Sequence, residues 1–173
     1  AEHPGITFSF NFDSSGTLQT QIEEGAECDL FLSAAQKQMD ALEEQSLIDS
    51  GSRLDLLENK VVLAVPDGNP ADIHSFADIG TEKCQLIALG NDDVPVGAYS
   101  IEILTALGLL DGLESSGKIT YGSNVKEVTT QIKENSVDCG IVYATDAYSA
   151  KLEVAETADA SLCSQVLYPA AVL

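Results

Sequence analysis

The chain has 173 residues, 45% of them hydrophobic, and its 28 acidic against 8 basic side chains leave a formal net charge of -20. That apolar content suffices for one large domain or two small lobes. The acidic balance argues against nucleic acid and anionic membrane surfaces as partners, and no run approaches the roughly 18 consecutive apolar residues of a spanning helix.

In chain order, AEHPG (1–5) reads as a helix tail running into a turn, so the sequence looks cut here, as it does at its apolar end, YPAAVL. ITFSFNF (6–12) alternates as a strand does, and DSSGT (13–17) hands it over to an amphipathic helix over 16–24. DLFLSA (29–34) is the next strand and SAAQ (33–36) opens a helix over 35–45. KVVLAVP (60–66) is a strand, and the turn-rich PDGNPADIHSFADIG (66–80) reads as the way into a second lobe. QLIALG (85–90) and NDDVPVGAY (91–99) give a strand and the start of a helix over 96–109. KITYG (118–122), a helix over 124–135, CGIVYA (139–144), KLEVAE (151–156) and QVLYPAAVL (165–173) complete the chain.

Strand alternating with helix predicts an α/β protein with doubly wound, mostly parallel sheets. VVLAV, LIAL and GIVYA are apolar at every position, as strands covered on both faces must be. Two lobes are expected: 1–60 with 163–173 in one, and 61–162 in the other.

Ligands of open α/β sheets collect beyond the carboxyl ends of the strands, where helices begin. Four strand-to-helix junctions stand out there: DSSGT, SAAQ, NDDVPVGAY and GSNVKE (122–127). Each opens a helix with small or Pro-led residues, with Ser15, Ser33, Pro95 and Ser123 or Asn124 near a cap position. The only cation near these tips is Lys126. Neutral N–H and O–H donors gathered in this way suit an anion, each charge-assisted bond contributing about 1.5–3 kcal/mol, while carboxylates elsewhere are screened beyond about 8 Å. Tyr143, at the end of GIVY, reads equally as core or as a phenol donor to a ligand.

Other chemistry has less support. Cys28, Cys84, Cys139 and Cys163 are far apart, without a CxxC pair or a neighbouring His, so a zinc site is not expected and buried thiols are. Should CQLIALG and CGIVYA be neighbouring parallel strands, Cys84 and Cys139 could approach each other. GLESSGKI (112–119) imitates a phosphate loop but has Ile119 where Ser or Thr is needed, and it precedes a strand. His3 and His74 are the only histidines and no GxSxG occurs, so a Ser-His-Asp hydrolase is disfavoured. A catalytic carboxylate pair at the junctions could come only from Asp13, Asp92 and Asp93, which read better as solvated caps.

ITFSFNFDSSGTLQTQIEEGAECDLFLSAAQKQMDALEEQSLID, followed by VPVGAYS, NVKEV, GIVYATDAYSA and YPAAVL in order, resembles the molybdate-binding proteins, the extracytoplasmic solute receptors of molybdate ABC transporters. The resemblance spans essentially the whole chain, and tungstate receptors share much of it. It implies a two-lobed type II periplasmic-binding-protein fold that clamps molybdate or tungstate between its lobes, with no enzymatic activity, no cofactor and no metal ligated directly by side chains. By motif, the oxyanion contacts would fall on Ser15, Ala34, Val96, Val125 and Tyr143. The implied partners are the oxyanion and an ABC permease, and the implied location is periplasmic or lipid-anchored at the cell surface. Family members begin with a further strand and serine loop and continue past YPxAV into helices; without these, self-association of this chain is expected. The competing reading is a ligand-sensing effector domain of a transcription regulator with the same fold.

Overall fold

The computed structural model describes residues 5–173; His3 and the helix tail expected at the start of the chain lie outside the described residues. Two sheets divide the chain. The smaller has three strands, β1 (Leu30–Leu32), β2 (Leu54–Asn59) and β8 (Val166–Val172), in the order β1-β8-β2 and antiparallel throughout. Its inner face packs under two helices, α1 (Ser15–Glu23) and α2 (Gln36–Glu44). Met39 and Leu42, one helical turn apart on α2, are fully buried against Ile22, Phe31, Ile48 and Ala171. Burying each such side chain stabilises by about 1.5–3 kcal/mol. The outer face is bare: Leu30, Leu32, Leu54 and Val172 are each about half exposed.

The larger sheet has five strands, β3 (Val61–Val65), β4 (Ile87–Gly90), β5 (Ile119–Gly122), β6 (Cys139–Tyr143) and β7 (Glu153–Thr157), in the order β5-β4-β6-β3-β7. Alternate residues of its central strands feed two separate cores, which is why those strands are apolar throughout. Leu63, Ile87, Leu89 and Ile141 face a 3-10 turn (Phe76–Gly80) and the helices α3 (Pro95–Ala106) and α4 (Leu110–Ser115). Val62, Ala64, Ala88 and Val142 face α5 (Val125–Lys133) and α6 (Ala144–Ala150), through Val128, Ile132 and Ala147.

Several expectations need correction. Residues 6–12 form no strand: Ile6, Phe8, Phe10 and Phe12 are 57–85% exposed, and the phenylalanines stack only on one another, with centroids 6.2 and 5.8 Å apart. Alternation alone does not make a strand, because the ladder needs a neighbour. Strand β2 was not foreseen, since a register shift between Asp55 and Leu57 breaks the alternation of LDLLEN. The six-residue α4 and seven-residue α6 were too short to leave a clear helical period. Parallel pairing is also scarcer than expected, confined to β4 with β5 and β6. Strand β3 follows β2 after Lys60 alone and pairs antiparallel with both neighbours, so no helical crossover dictates its direction.

Candidate functional site

Five chain segments converge on one cavity of about 430 Å³. Ser14 and Ser15 come from the start of α1, Ala34 from just before α2, Val94 and Pro95 from the start of α3, Asn124 and Val125 from the start of α5, and Tyr143 from the end of β6. The first turns of α1, α2, α3 and α5 thus lie around one hollow. Amides in a helix's first turn have no intrahelical partner and carry the positive end of its dipole.

The sequence fixes each of these starts locally. Ser14 is the N-cap of α1, its hydroxyl accepting from the Thr17 amide at 3.2 Å, while Asp13 accepts from the Ser14 amide at 2.7 Å. The Ser33 hydroxyl donates to the Ala35 carbonyl at 2.7 Å and shapes the turn into α2. Pro95 occupies the first turn of α3. At Gly97 a Cβ would stand 2.5 Å from the Asn91 carbonyl oxygen, so only glycine lets this helix start sit so close to the end of β4. Asn124 caps α5 by accepting from the Glu127 amide at 2.9 Å. Glu127 reaches back to the Ser123 amide at 2.7 Å and hydroxyl at 2.9 Å, bonds that lower its pKa.

Three predicted residues form one chain of hydrogen bonds. The Ala34 amide donates to Ser15 Oγ at 2.9 Å, and the Tyr143 hydroxyl donates to the Ala34 carbonyl at 3.2 Å. Because Ser15 Oγ accepts from Ala34, its own proton remains to donate into the cavity. Burial pushes the Tyr143 phenol well above its ordinary range, so it stays a donor at any physiological pH. Tyr99 and Tyr168 hold its ring edge-on, at centroid distances of 6.2 and 5.8 Å.

Ser15, Ala34, Val125 and Tyr143 therefore all line the cavity. Val96 does not: its side chain is fully buried in the core, and Val94 and Pro95 beside it form that part of the wall. Phe12, Asp13, Ser14, Asn124 and Lys126 also line it. In a Ser-Ser pair either residue can cap, and Ser14 does so, which frees Ser15; likewise Ala35 rather than Ser33 is the cap of α2. Among the described residues, Lys126 is the one cation on the wall and Asp13 the one carboxylate, already engaged by the Ser14 amide. Asp92 is not on the wall, and Asp93 turns its carbonyl toward Gly16. His74 pairs with Asp72 at 2.8 Å, away from the cavity. Among the described residues, no three His, Cys, Asp or Glu side chains gather as metal ligands, and no helix is long and apolar enough to cross a membrane.

The family model for bacterial extracellular solute-binding proteins matches residues 1–173. This chain belongs to that family. By its description, that family consists of extracellular binders of solutes. It is 38% identical over 170 residues to a putative ABC transporter substrate-binding lipoprotein, YvgL, of Bacillus subtilis, covering 97% of this chain and 64% of that one. It is 35% identical over 176 residues to the molybdate-binding protein ModA of Escherichia coli, covering 98% of this chain and 67% of that one. The solute-binding protein thus spans about two thirds of the length of these relatives. The periplasmic molybdate-binding protein of Azotobacter vinelandii superposes with a TM-score of 0.84 at 26% identity, over 99% of this chain and 75% of that one. The expected type II periplasmic-binding-protein class is thereby borne out.

Proposed function

We propose that this solute-binding protein captures molybdate, with tungstate as an equivalent occupant, and hands it to an ABC permease. The observation that carries the reading is the convergence of four helix starts, the Ser15 hydroxyl and the Tyr143 phenol on one cavity. Its wall offers many neutral donors, one lysine and one already engaged carboxylate. The likeness to molybdate-binding proteins over nearly the whole chain supports the choice of anion. In this reading Ser15 donates its free hydroxyl proton and Val125 its backbone amide, the Tyr143 hydroxyl and the Ala34 amide leave the Ala34 carbonyl and Ser15 Oγ to turn to the anion as it enters, and Val96, fully buried and off the wall, makes no contact. The two sheets with their helices act as lobes, 1–60 with 163–173 and 61–162, and closure of one on the other signals occupancy to the permease.

Molybdate, tungstate and sulfate all present four oxygens and two negative charges, so discrimination among them must come from size. The test is calorimetry and thermal shift with the three anions. Molybdate and tungstate should stabilise the protein alike and sulfate far less; equal stabilisation by sulfate, or none by molybdate, would overturn the reading.

The bare rows Ile6, Phe8, Phe10, Phe12 and Leu30, Leu32, Leu54, Val172 support self-association of this chain, because contiguous exposed apolar surface of this kind seeks cover. Light scattering across a concentration series should show mass rising above 18.2 kDa. A monomer throughout would exclude it.

A further inference from the structure

Cys84, in the turn before β4, and Cys139, the first residue of β6, are both fully buried, and their sulfur atoms lie 3.7 Å apart. Strands β4 and β6 are parallel neighbours, with Ile87 opposite Cys139. The backbone around both cysteines is clamped. Asp138 accepts from the Gln85 amide at 2.6 Å and the Leu86 amide at 2.9 Å, its own amide donates to the Leu86 carbonyl at 2.9 Å, and Lys118 donates to the Cys84 carbonyl at 2.8 Å. These bonds hold the two thiols side by side, while Cys28 and Cys163 are only half-buried.

We propose that Cys84 and Cys139 are a disulfide-forming pair that staples β4 to β6 when the protein folds in its extracytoplasmic compartment. The proposal rests on that location, where disulfides form and persist. A bond needs the sulfurs at about 2.05 Å, so they must close from their present 3.7 Å contact.

The oxidant is an external disulfide, of an oxidoreductase or a small thiol. One of the two cysteines, as its thiolate, attacks it to form a mixed disulfide and releases one thiol; the other cysteine then attacks the sulfur of the first and releases the second. Two protons and two electrons pass from the cysteines to the reagent, which leaves as two thiols. Because neither sulfur is exposed in the folded chain, the exchange belongs to folding, before the core closes.

The pair sits at the opposite end of β6 from Tyr143, about 13 Å away along the strand. Cross-linking residues 55 apart in sequence raises the melting temperature by about 10 °C, with no change at the cavity.

The test is to refold the wild-type chain with oxidised glutathione, denature it without reductant, alkylate it and weigh it. Two of the four thiols should escape alkylation, peptide mapping should join the peptides holding Cys84 and Cys139, and reductant should lower the melting temperature by about the amount above. Full alkylation of all four cysteines, or a link involving Cys28 or Cys163, would overturn the pairing. Anion calorimetry on the oxidised and reduced forms keeps this test apart from the proposed ligand: equal affinity, or equal absence of binding, accords with the pairing, whereas affinity that depends on oxidation would place the staple at the cleft and refute its position.

Discussion

Gly16 of α1 meets the main chain of Asp93, which leads into α3: a Cβ on Gly16 would stand 2.6 Å from the Asp93 carbonyl oxygen. This contact joins the helices of the two sheets at the rim of the cavity, and its closeness depends on hydrogen in place of a methyl group. Gly16→Ala should therefore separate the two rims while favouring the helix itself by up to about 1 kcal/mol. Molybdate affinity should fall at least tenfold by calorimetry, with the melting temperature of the anion-free protein unchanged or raised. Undiminished affinity would mean that closure does not bring these segments together.

Tyr143→Phe removes the one phenol on the cavity wall and its bond to the Ala34 carbonyl. The ring and its edge-on contacts with Tyr99 and Tyr168 remain, so packing should survive. A lost donor to a charged ligand costs about 1.5–3 kcal/mol, which predicts molybdate binding weakened by about 10- to 150-fold. A change under twofold would leave Tyr143 as core alone.

How much of this was legible beforehand follows from how local each cause is. Helix starts are written in a few residues: Pro95 at the first turn of α3 and Asn124 before α5 carry their own capping chemistry, so the junctions could be read before their meeting was known. Which serine of Ser14-Ser15 caps was not legible, because either hydroxyl can do it and the choice rests on Ala34, 19 residues away. Residues 6–12 read as a strand because alternation is local, whereas a strand also needs a neighbour supplied by the rest of the fold. The bulge that hides β2 is set by its partner β8, again a distant cause.

The tyrosines around the cavity predict alkaline behaviour. Burial pushes the Tyr99 phenol up to about 12 and raises Tyr168 as well as Tyr143. The native state keeps these protons at pH values where the unfolded chain has lost them. The stability they lend is therefore full below about pH 10 and is lost as pH climbs toward 12. Urea midpoints should hold to pH 10 and then fall, with the tyrosinate absorbance of these three rings rising only as the chain unfolds. Ionisation of all the tyrosines in one step near pH 10, in a still folded protein, would contradict the packing around Tyr143.

Asp146, in the first turn of α6, presents the reverse case of a carboxylate that its surroundings disfavour. Burial alone raises its pKa. The folded chain thus holds this proton to higher pH than the unfolded chain, so its contribution to stability is greatest in acid and declines as pH rises from about 3.8 through the folded pKa. At neutral pH the charge is a net cost, partly offset by the weak dipole of a seven-residue helix and by solvent reaching a half-exposed group. Asp146→Asn should raise the melting temperature at pH 7, and the gain should vanish near pH 3, where both chains are neutral at this site. The same change removes a negative charge that bears on Tyr143, so molybdate binding should strengthen rather than weaken. A variant less stable than wild type at pH 7 would mean that the helix dipole outweighs burial at this position.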